Sequence, residues 1–253
     1  MHVSRSAKGG HRASFATVLI AALVMCNSAQ AQTPTPAPVF ADGARILFQG
    51  DSITDGNRGR SLDPNHILGH GYAFIIAARY GAAFPYKNWT FLNRGQSGDT
   101  VNDLYFRWRS DSTALKPDVI SILVGVNDNA RVKLDIYERV YERILTDARD
   151  ANPNVILVLG EPFGLPVAPK KAEWTTWNAG LQDRQKVVAR LAQKYHAIVV
   201  PYQKAFDDAC KRGAPDYWIW DGVHPTYSGH QIMADIWMKT VQKALARRNS
   251  GGK

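Results

Sequence analysis

Cysteine is scarce in this chain: its 253 residues hold two, Cys26 and Cys210. Neither belongs to a CxxC pair, and no HExxH run occurs. The common zinc patterns are therefore missing, and no metal or other cofactor is expected. The Gly-x-Ser-x-Gly elbow of α/β-hydrolases is absent as well. No repeat of solenoid length appears. Acidic residues are outnumbered, 22 against 31 lysines and arginines, which gives a formal charge of +9.

That charge suggests nucleic acid until its distribution is followed. Arg5, Lys8 and Arg12 precede the apolar run FATVLIAALVM and the small-residue site AQA at 29–31. This is the pattern of a cleaved secretory leader, expected over residues 1–31. The apolar run is too short to span a bilayer comfortably, and Met25 is too bulky for the residue before a lipidated Cys26. Without the leader's three cations the charge is +6, and without Arg247, Arg248 and Lys253 of the tail it is +3. The remaining cations alternate with acids, as in YERVYERILTDARD, a solvated helix face. Nucleic-acid binding is not expected. Nor is stable membrane association after leader removal; a homo-oligomer is left open. The mature protein would be secreted or periplasmic and would keep one cysteine, Cys210, so it would have no internal disulfide.

Four segments follow from composition: the leader, a Pro-rich linker over 32–43 (QTPTPAPVF and its continuation) that need not pack, one domain over 44–248, and a flexible tail over 249–253. Within the domain, short β-branched runs (ARILFQG, TFLNRG, DVISILVGV, NVILVLG, AIVVPY) alternate with stretches of helical period. Strands without polar alternation are buried on both faces. The pattern predicts a three-layer α/β/α sandwich around a parallel five-stranded sheet, flavodoxin-like.

In such sheets ligands bind beyond the carboxyl ends of the strands. Three of the predicted strands end in small, polar, Gly-containing sequence: GDSIT, NRGQSGDT and GVNDN. Ser52 follows the first strand. Far downstream, WDGVHPTYSGH places Asp221 and His224 three residues apart before the last helix. A hydroxyl, an imidazole to take its proton and a carboxylate to orient that imidazole are the components of nucleophilic acyl transfer. Donors for an oxyanion are available at the Ser52 and Gly95 amides and the Asn127 side chain.

GDSIT, the Gly of NRGQSGDT, GVND and DGVHP occur in the order found in the SGNH/GDSL hydrolase family. The resemblance runs from about residue 44 to about 243. The longer stretches GDSITDGNRGR, LGHGYAFIIAARY and KPDVISILVGVND look like small bacterial carbohydrate acetylesterases of the acetylxylan esterase group. The resemblance implies the SGNH hydrolase fold, with Ser52 as nucleophile, His224 as base and Asp221 as its partner. Ser52, Gly95 and Asn127 would form the oxyanion hole. It also implies a short-chain acyl ester of an oligosaccharide, a polysaccharide or a small molecule as substrate. A lysophospholipase, thioesterase or broad carboxylesterase is the competing reading on this fold, and a non-catalytic carbohydrate-binding protein is another. After GVND the chain enters its next helix early, through NARVKLDIYERV, so the loop that shapes the acyl pocket in that group is shortened here.

Other polar and aromatic residues carry weaker signals. Asp51, Arg58, Arg60, Trp218 and Trp220 are candidate substrate-binding residues. Arg58 and Arg60 as solvated loop charges, and most tryptophans as core, are the plainer readings. His66 and His70 follow GDSIT and could reach substrate; His230 reads as a packing or surface histidine. Ser97 is the rival serine, but it lacks a preceding apolar strand.

Overall fold

The structure, a computed structural model, describes residues 37–250 except 62, 168 and 169. The expected leader, the first part of the linker and the end of the tail lie outside these residues. The chain runs β1 (Arg45–Gly50), α1 (Ser52–Asp55), α2 (Tyr72–Ala83), β2 (Thr90–Asn93), α3 (Val101–Phe106), α4 (Trp108–Asp111), β3 (Val119–Leu123), α5 (Asp128–Arg131) and α6 (Leu134–Ala151). It continues through β4 (Ile156–Gly160), α7 (Trp174–Tyr195), β5 (Ile198–Val200), α8 (Tyr202–Ala209), α9 (Pro215–Trp218) and α10 (Tyr227–Ser250). The five strands form one sheet in the order β2-β1-β3-β4-β5, every pair parallel. This is the expected three-layer sandwich.

Strand alternation divides the core in two. Ile46, Phe48, Val119, Leu123 and Val158 face α2, α8 and α10, where they meet Tyr72, Ile76, Phe206 and Trp237. Leu47, Ile120, Ile122, Leu157 and Leu159 face the other way, onto Trp108, Tyr141, Leu145 and Val188. Helix α6 buries Tyr137, Tyr141, Ile144, Leu145 and Ala148, the i, i+4, i+7, i+8, i+11 stripe that packs a helix on a sheet. Its other face carries the charges that sequence reading assigned to solvent.

Chain order reverses direction at β1, which lies between β2 and β3. The carboxyl ends of β1, β2 and β3 therefore flank a topological switch point, where a cleft forms without further construction. The three Gly-containing motifs all lie at this edge.

Two expectations change. The linker does not run free to residue 43: Phe40 is buried, with its ring 5.4 Å from Trp89 and 5.8 Å from Tyr80. An aromatic side chain gains too much from burial to stay in water beside an open core edge, so the packed chain begins before residue 44. The stretch TVNDLYFRWRSDSTAL, one of those with helical period, does not form a single helix and breaks at Arg107 into α3 and α4. The break lets the Arg107 guanidinium turn inward, to a role described below.

Candidate active site

The site begins with how β1 ends. Asp51 caps α1, its Oδ1 accepting the Ile53 amide at 3.0 Å. The cap stops the strand and places Ser52 as the first helical residue, its own amide without an acceptor among the described residues. Ser52 Oγ lies 2.7 Å from Nε2 of His224, 172 residues away along the chain.

His224 stands on a short hairpin. Ile219 and Pro225 form an antiparallel bridge, Trp220 N–H donates to His224 O at 3.1 Å, and Thr226 N–H donates to Trp218 O at 2.9 Å. Asp221 sits at the turn. Its Oδ1 accepts the amides of Val223 and His224, at 3.0 and 2.8 Å, and its Oδ2 lies 2.6 Å from His224 Nδ1. Burial alone would raise the Asp221 carboxyl, but the hydrogen bonds from the backbone and ring of His224 and from Val223 outweigh it and leave its pKa below the ordinary value. An ionised Asp221 accepts a hydrogen bond from Nδ1–H and so holds that proton on the ring, which leaves Nε2 as acceptor for the serine hydroxyl.

The second half of the site is the loop over 94–100, and here the expectation for Gly95 fails. The Gly95 amide already donates to Asn93 Oδ1 at 2.9 Å, and the residue is buried beneath the loop. A Cβ at position 95 would stand 2.4 Å from the Asp55 amide nitrogen. Glycine is needed there for packing against α1, not to admit a substrate. Three residues on, Gly98 is exposed with φ +87°, has open space where a Cβ would be, and has an amide with no acceptor among the described residues. Asn127 lies alongside: its Nδ2 donates to Asp99 O at 3.0 Å, and its second amide hydrogen has no acceptor among the described residues. Gly98, Asn127 and Ser52 are thus the donors the geometry makes available.

The candidate substrate residues are placed as follows. Asp51 is buried beneath the cleft. Burial, with the Asp128 and Asp99 charges adding to it, pushes its pKa up to about 7, and its Oδ2 has no hydrogen-bond partner among the described residues. Asp51 is a cap, not a substrate contact. Arg58 is buried too, with Nε donating to Gly95 O at 2.9 Å. Arg60 grips Asp55 through both terminal nitrogens, at 3.0 and 2.8 Å. Asp55 Oδ2 in turn accepts the amide and hydroxyl of Ser97, at 3.0 and 2.8 Å. Arg58 therefore braces the 94–100 loop directly through Gly95 O, and Arg60, its side chain 53% exposed, braces it through Asp55. Trp218 is 8% exposed and belongs to the core, whereas Trp220 is 64% exposed, with its indole 6.2 Å from the His224 ring and tilted by 25°.

Ser97 stabilises the loop, as expected for the rival serine. His66 pairs with Asp63 at an exposed position, and His70 is exposed. His230 is buried, and its Nδ1 accepts the Tyr72 amide at 3.2 Å. Burial first, then the nearby His70 and His224, lowers its pKa from 6.5 to about 4.

Sequence reading missed Asn93, Gly98, Arg107 and Arg131. Asn93 Nδ2 donates to Thr54 O at 2.7 Å and to Leu68 O at 2.9 Å, tying β2 to α1. Arg107 Nε reaches Asp99 Oδ2 at 2.7 Å, while one terminal nitrogen donates to Arg94 O at 2.6 Å and the other to Gly50 O at 3.3 Å. For Gly98 a signal existed: Ser-Gly is a turn dipeptide, at which a positive φ is common. For the two arginines the sequence carries no signal, since the contacts that tie them to this loop reach well along the chain, to Arg94 O and Gly50 O for Arg107 and to Gly98 O for Arg131.

The GDSL-like lipase/acylhydrolase family matches residues 48–232. An acetylxylan esterase of Geobacillus stearothermophilus is 31% identical over 215 residues, covering 80% of this chain and 95% of that protein. The solved structure of Axe2, an acetylxylan esterase from the same organism, has a TM-score of 0.69 at 31% identity, covering 79% of this chain and 95% of that one. Two further structures of Axe2 are described as catalytic mutants, with an aspartate and a histidine three positions apart replaced by alanine. A structure described as a GDSL-like lipase from Parabacteroides merdae has a TM-score of 0.76 at 33% identity, covering 83% of this chain and all of that one. With 185 consecutive residues inside the family's span and the same fold in solved relatives, this chain belongs to the GDSL-like lipase/acylhydrolase family and is a carboxylic ester hydrolase.

Proposed function

We propose that the protein is an exported serine esterase that removes short acyl groups, acetyl above all, from carbohydrate hydroxyls such as those of acetylated xylan or xylo-oligosaccharides. The observation that carries the mechanism is the unbroken chain from Ser52 Oγ through His224 to Asp221, with links of 2.7 and 2.6 Å. His224 Nε2 takes the hydroxyl proton as Oγ bonds to the ester carbonyl carbon. The carbonyl oxygen becomes an oxyanion, received by the Ser52 and Gly98 amides and the second Asn127 amide hydrogen. The imidazolium, stabilised by Asp221, then gives its proton to the departing sugar oxygen. Water, deprotonated by His224, attacks the acyl-Ser52 ester, and release of the acid restores the serine.

Two things support the substrate class. The curated relative named above is an acetylxylan esterase, and the catalytic mutants described for Axe2, an acetylxylan esterase of the same organism, carry the aspartate–histidine spacing of Asp221 and His224. The exposed Trp220 indole beside His224 offers a flat apolar face of the kind that stacks on a sugar ring. Export rests on the leader pattern of residues 1–31.

The test is product release measured side by side on acetylated xylan, acetylated xylo-oligosaccharides, a series of p-nitrophenyl esters from acetate to decanoate, and a lysophospholipid. The proposal predicts fastest turnover with acetate among the simple esters, and acetate release from the oligosaccharides. Preference for the long chains or the lysophospholipid would overturn the substrate class while leaving the mechanism in place.

A further inference from the structure

We propose that Arg131 is a positioning residue of the oxyanion site: its guanidinium clasps the two loops that supply Gly98 and Asn127 and holds their donors in register. The inference rests on the oxyanion reading above, since it concerns the same donors.

The donors come from separate parts of the chain, after β2 and after β3. A usable pocket needs them fixed relative to each other, because donors act on a developing charge only if placed before it forms. Arg131, the last residue of α5, reaches both loops. Its Nε donates to Asn127 O at 3.3 Å, and a terminal nitrogen donates to Gly98 O, 33 residues away. The first contact taken alone is ordinary, an exposed arginine bonding a carbonyl of its own turn. The second is not local, and it falls on the residue with the free amide.

What the clasp does can be read peptide by peptide. The Gly98 N–H belongs to the peptide unit between Ser97 and Gly98. The unit before it is held by the Ser97 amide, which donates to Asp55 Oδ2. The unit after it carries the carbonyl that Arg131 holds, together with the Asp99 amide, which donates to Gln96 O at 3.2 Å. Gly98 itself has φ +87° and no side chain packed against anything, so its own torsions resist rotation weakly. Arg131 closes the bracket from α5. The Asn127 side chain completes the link by holding Asp99 O. Among the described residues the two segments are joined by Arg131 to Gly98, by Asn127 to Asp99 and, just past the loop, by the Val101 amide to Asp128 Oδ1 at 2.8 Å; of these only the Arg131 bond falls on Gly98 itself.

Arg131→Ala and Arg131→Lys are compared with the wild-type full-length protein on p-nitrophenyl acetate, with melting temperature measured on each. Misplacing a catalytic group by about 1 Å can cost on the order of a hundredfold. Arg131→Ala is therefore expected to lower kcat by about ten- to a hundredfold with KM within about twofold, because the lost interaction matters in the transition state. A single ammonium cannot replace the guanidinium fork, so Arg131→Lys should recover only part of the loss. Added methylguanidinium should raise kcat of Arg131→Ala and leave that of Asn127→Ala unchanged.

Three results would overturn the clasp: kcat of Arg131→Ala within about twofold of wild type, a raised KM at constant kcat, or a loss that follows a fallen melting temperature and is untouched by methylguanidinium. Wild-type protein inert on every ester, or Ser52→Ala as active as wild type, would instead sink the oxyanion reading beneath it, and the clasp's catalytic role with it.

Discussion

In the proposed mechanism the hairpin that carries His224 and the loop that carries Gly98 serve one reaction, and they are built in opposite ways. The hairpin is self-sufficient: the contacts of Asp221 with Val223 and His224 span two or three residues. The loop over 94–100 holds almost nothing by itself. Arg58 holds Gly95 O, Arg107 holds Arg94 O and the Asp99 carboxylate, Arg60 acts through Asp55 on Ser97, and Arg131 holds Gly98 O. Four arginines thus brace one seven-residue loop. Part of the chain's surplus of positive charge is spent on carbonyl oxygens and buried carboxylates, and has nothing to do with an anionic partner.

The two regions should respond differently when broken. On the hairpin side, Asp221→Asn keeps the shape but removes the charge that orients the imidazole, and kcat should fall by about 10⁴-fold with the melting temperature little changed. On the loop side, Asn127→Ala removes one donor of several, so kcat should fall by about 10²- to 10³-fold. Equal losses from the two substitutions, measured by steady-state hydrolysis of p-nitrophenyl acetate, would erase the distinction.

A third contrast concerns acid. His230 lies in the first turn of α10, directly after the hairpin, and its Nδ1 can accept the Tyr72 amide only while unprotonated. The unfolded chain takes up this proton below about pH 6.5, whereas the folded protein resists until about pH 4. The stability tied to a neutral His230 is therefore intact above pH 6.5 and drains away as pH falls towards 4, by about 3 kcal/mol in full. His230→Gln, which keeps an acceptor but does not titrate, should lose less stability than wild type between pH 7 and 4.5 in urea titrations. Parallel curves would place the acid sensitivity elsewhere.

The smallest effects separate the two glycines. Gly95→Ala puts a methyl group against the Asp55 backbone and should cost about 1–3 kcal/mol of stability. Gly98→Ala meets no neighbour but keeps a left-handed residue, which costs about 1–2 kcal/mol and shifts the amide on which turnover depends. Both substitutions should therefore lower the melting temperature, and kcat is what separates them: it should fall at position 98 and hold near wild type at position 95. The reverse pattern would restore Gly95 as the donor.

The same contrast explains what could be read in advance. The fold was legible because five β-branched runs and the helical stripes between them are local patterns, and the hairpin because DGVHP packs its chemistry into five residues. The Gly95 assignment failed because two glycines lie three residues apart, and choosing between them requires knowing that Asn93 bends back to occupy one amide. Arg58 and Arg60 look like cleft residues until Asp55 and Gly95 O are seen beside them. Trp218 and Trp220 differ by two positions, yet one is core and the other is exposed, a difference set by how the hairpin leaves α9. None of these follows from composition or period. All depend on which neighbours the folded chain brings to each group.

In the proposed mechanism the hydroxyl of Ser52 is the group that becomes acylated. Incubating the protein with a small organophosphate, then mapping the modified peptide by mass spectrometry, tests it directly. The account predicts stoichiometric phosphorylation at Ser52, loss of esterase activity in step with labelling, and no labelling in His224→Ala. A label on Ser97, or full activity in protein labelled at Ser52, would contradict it.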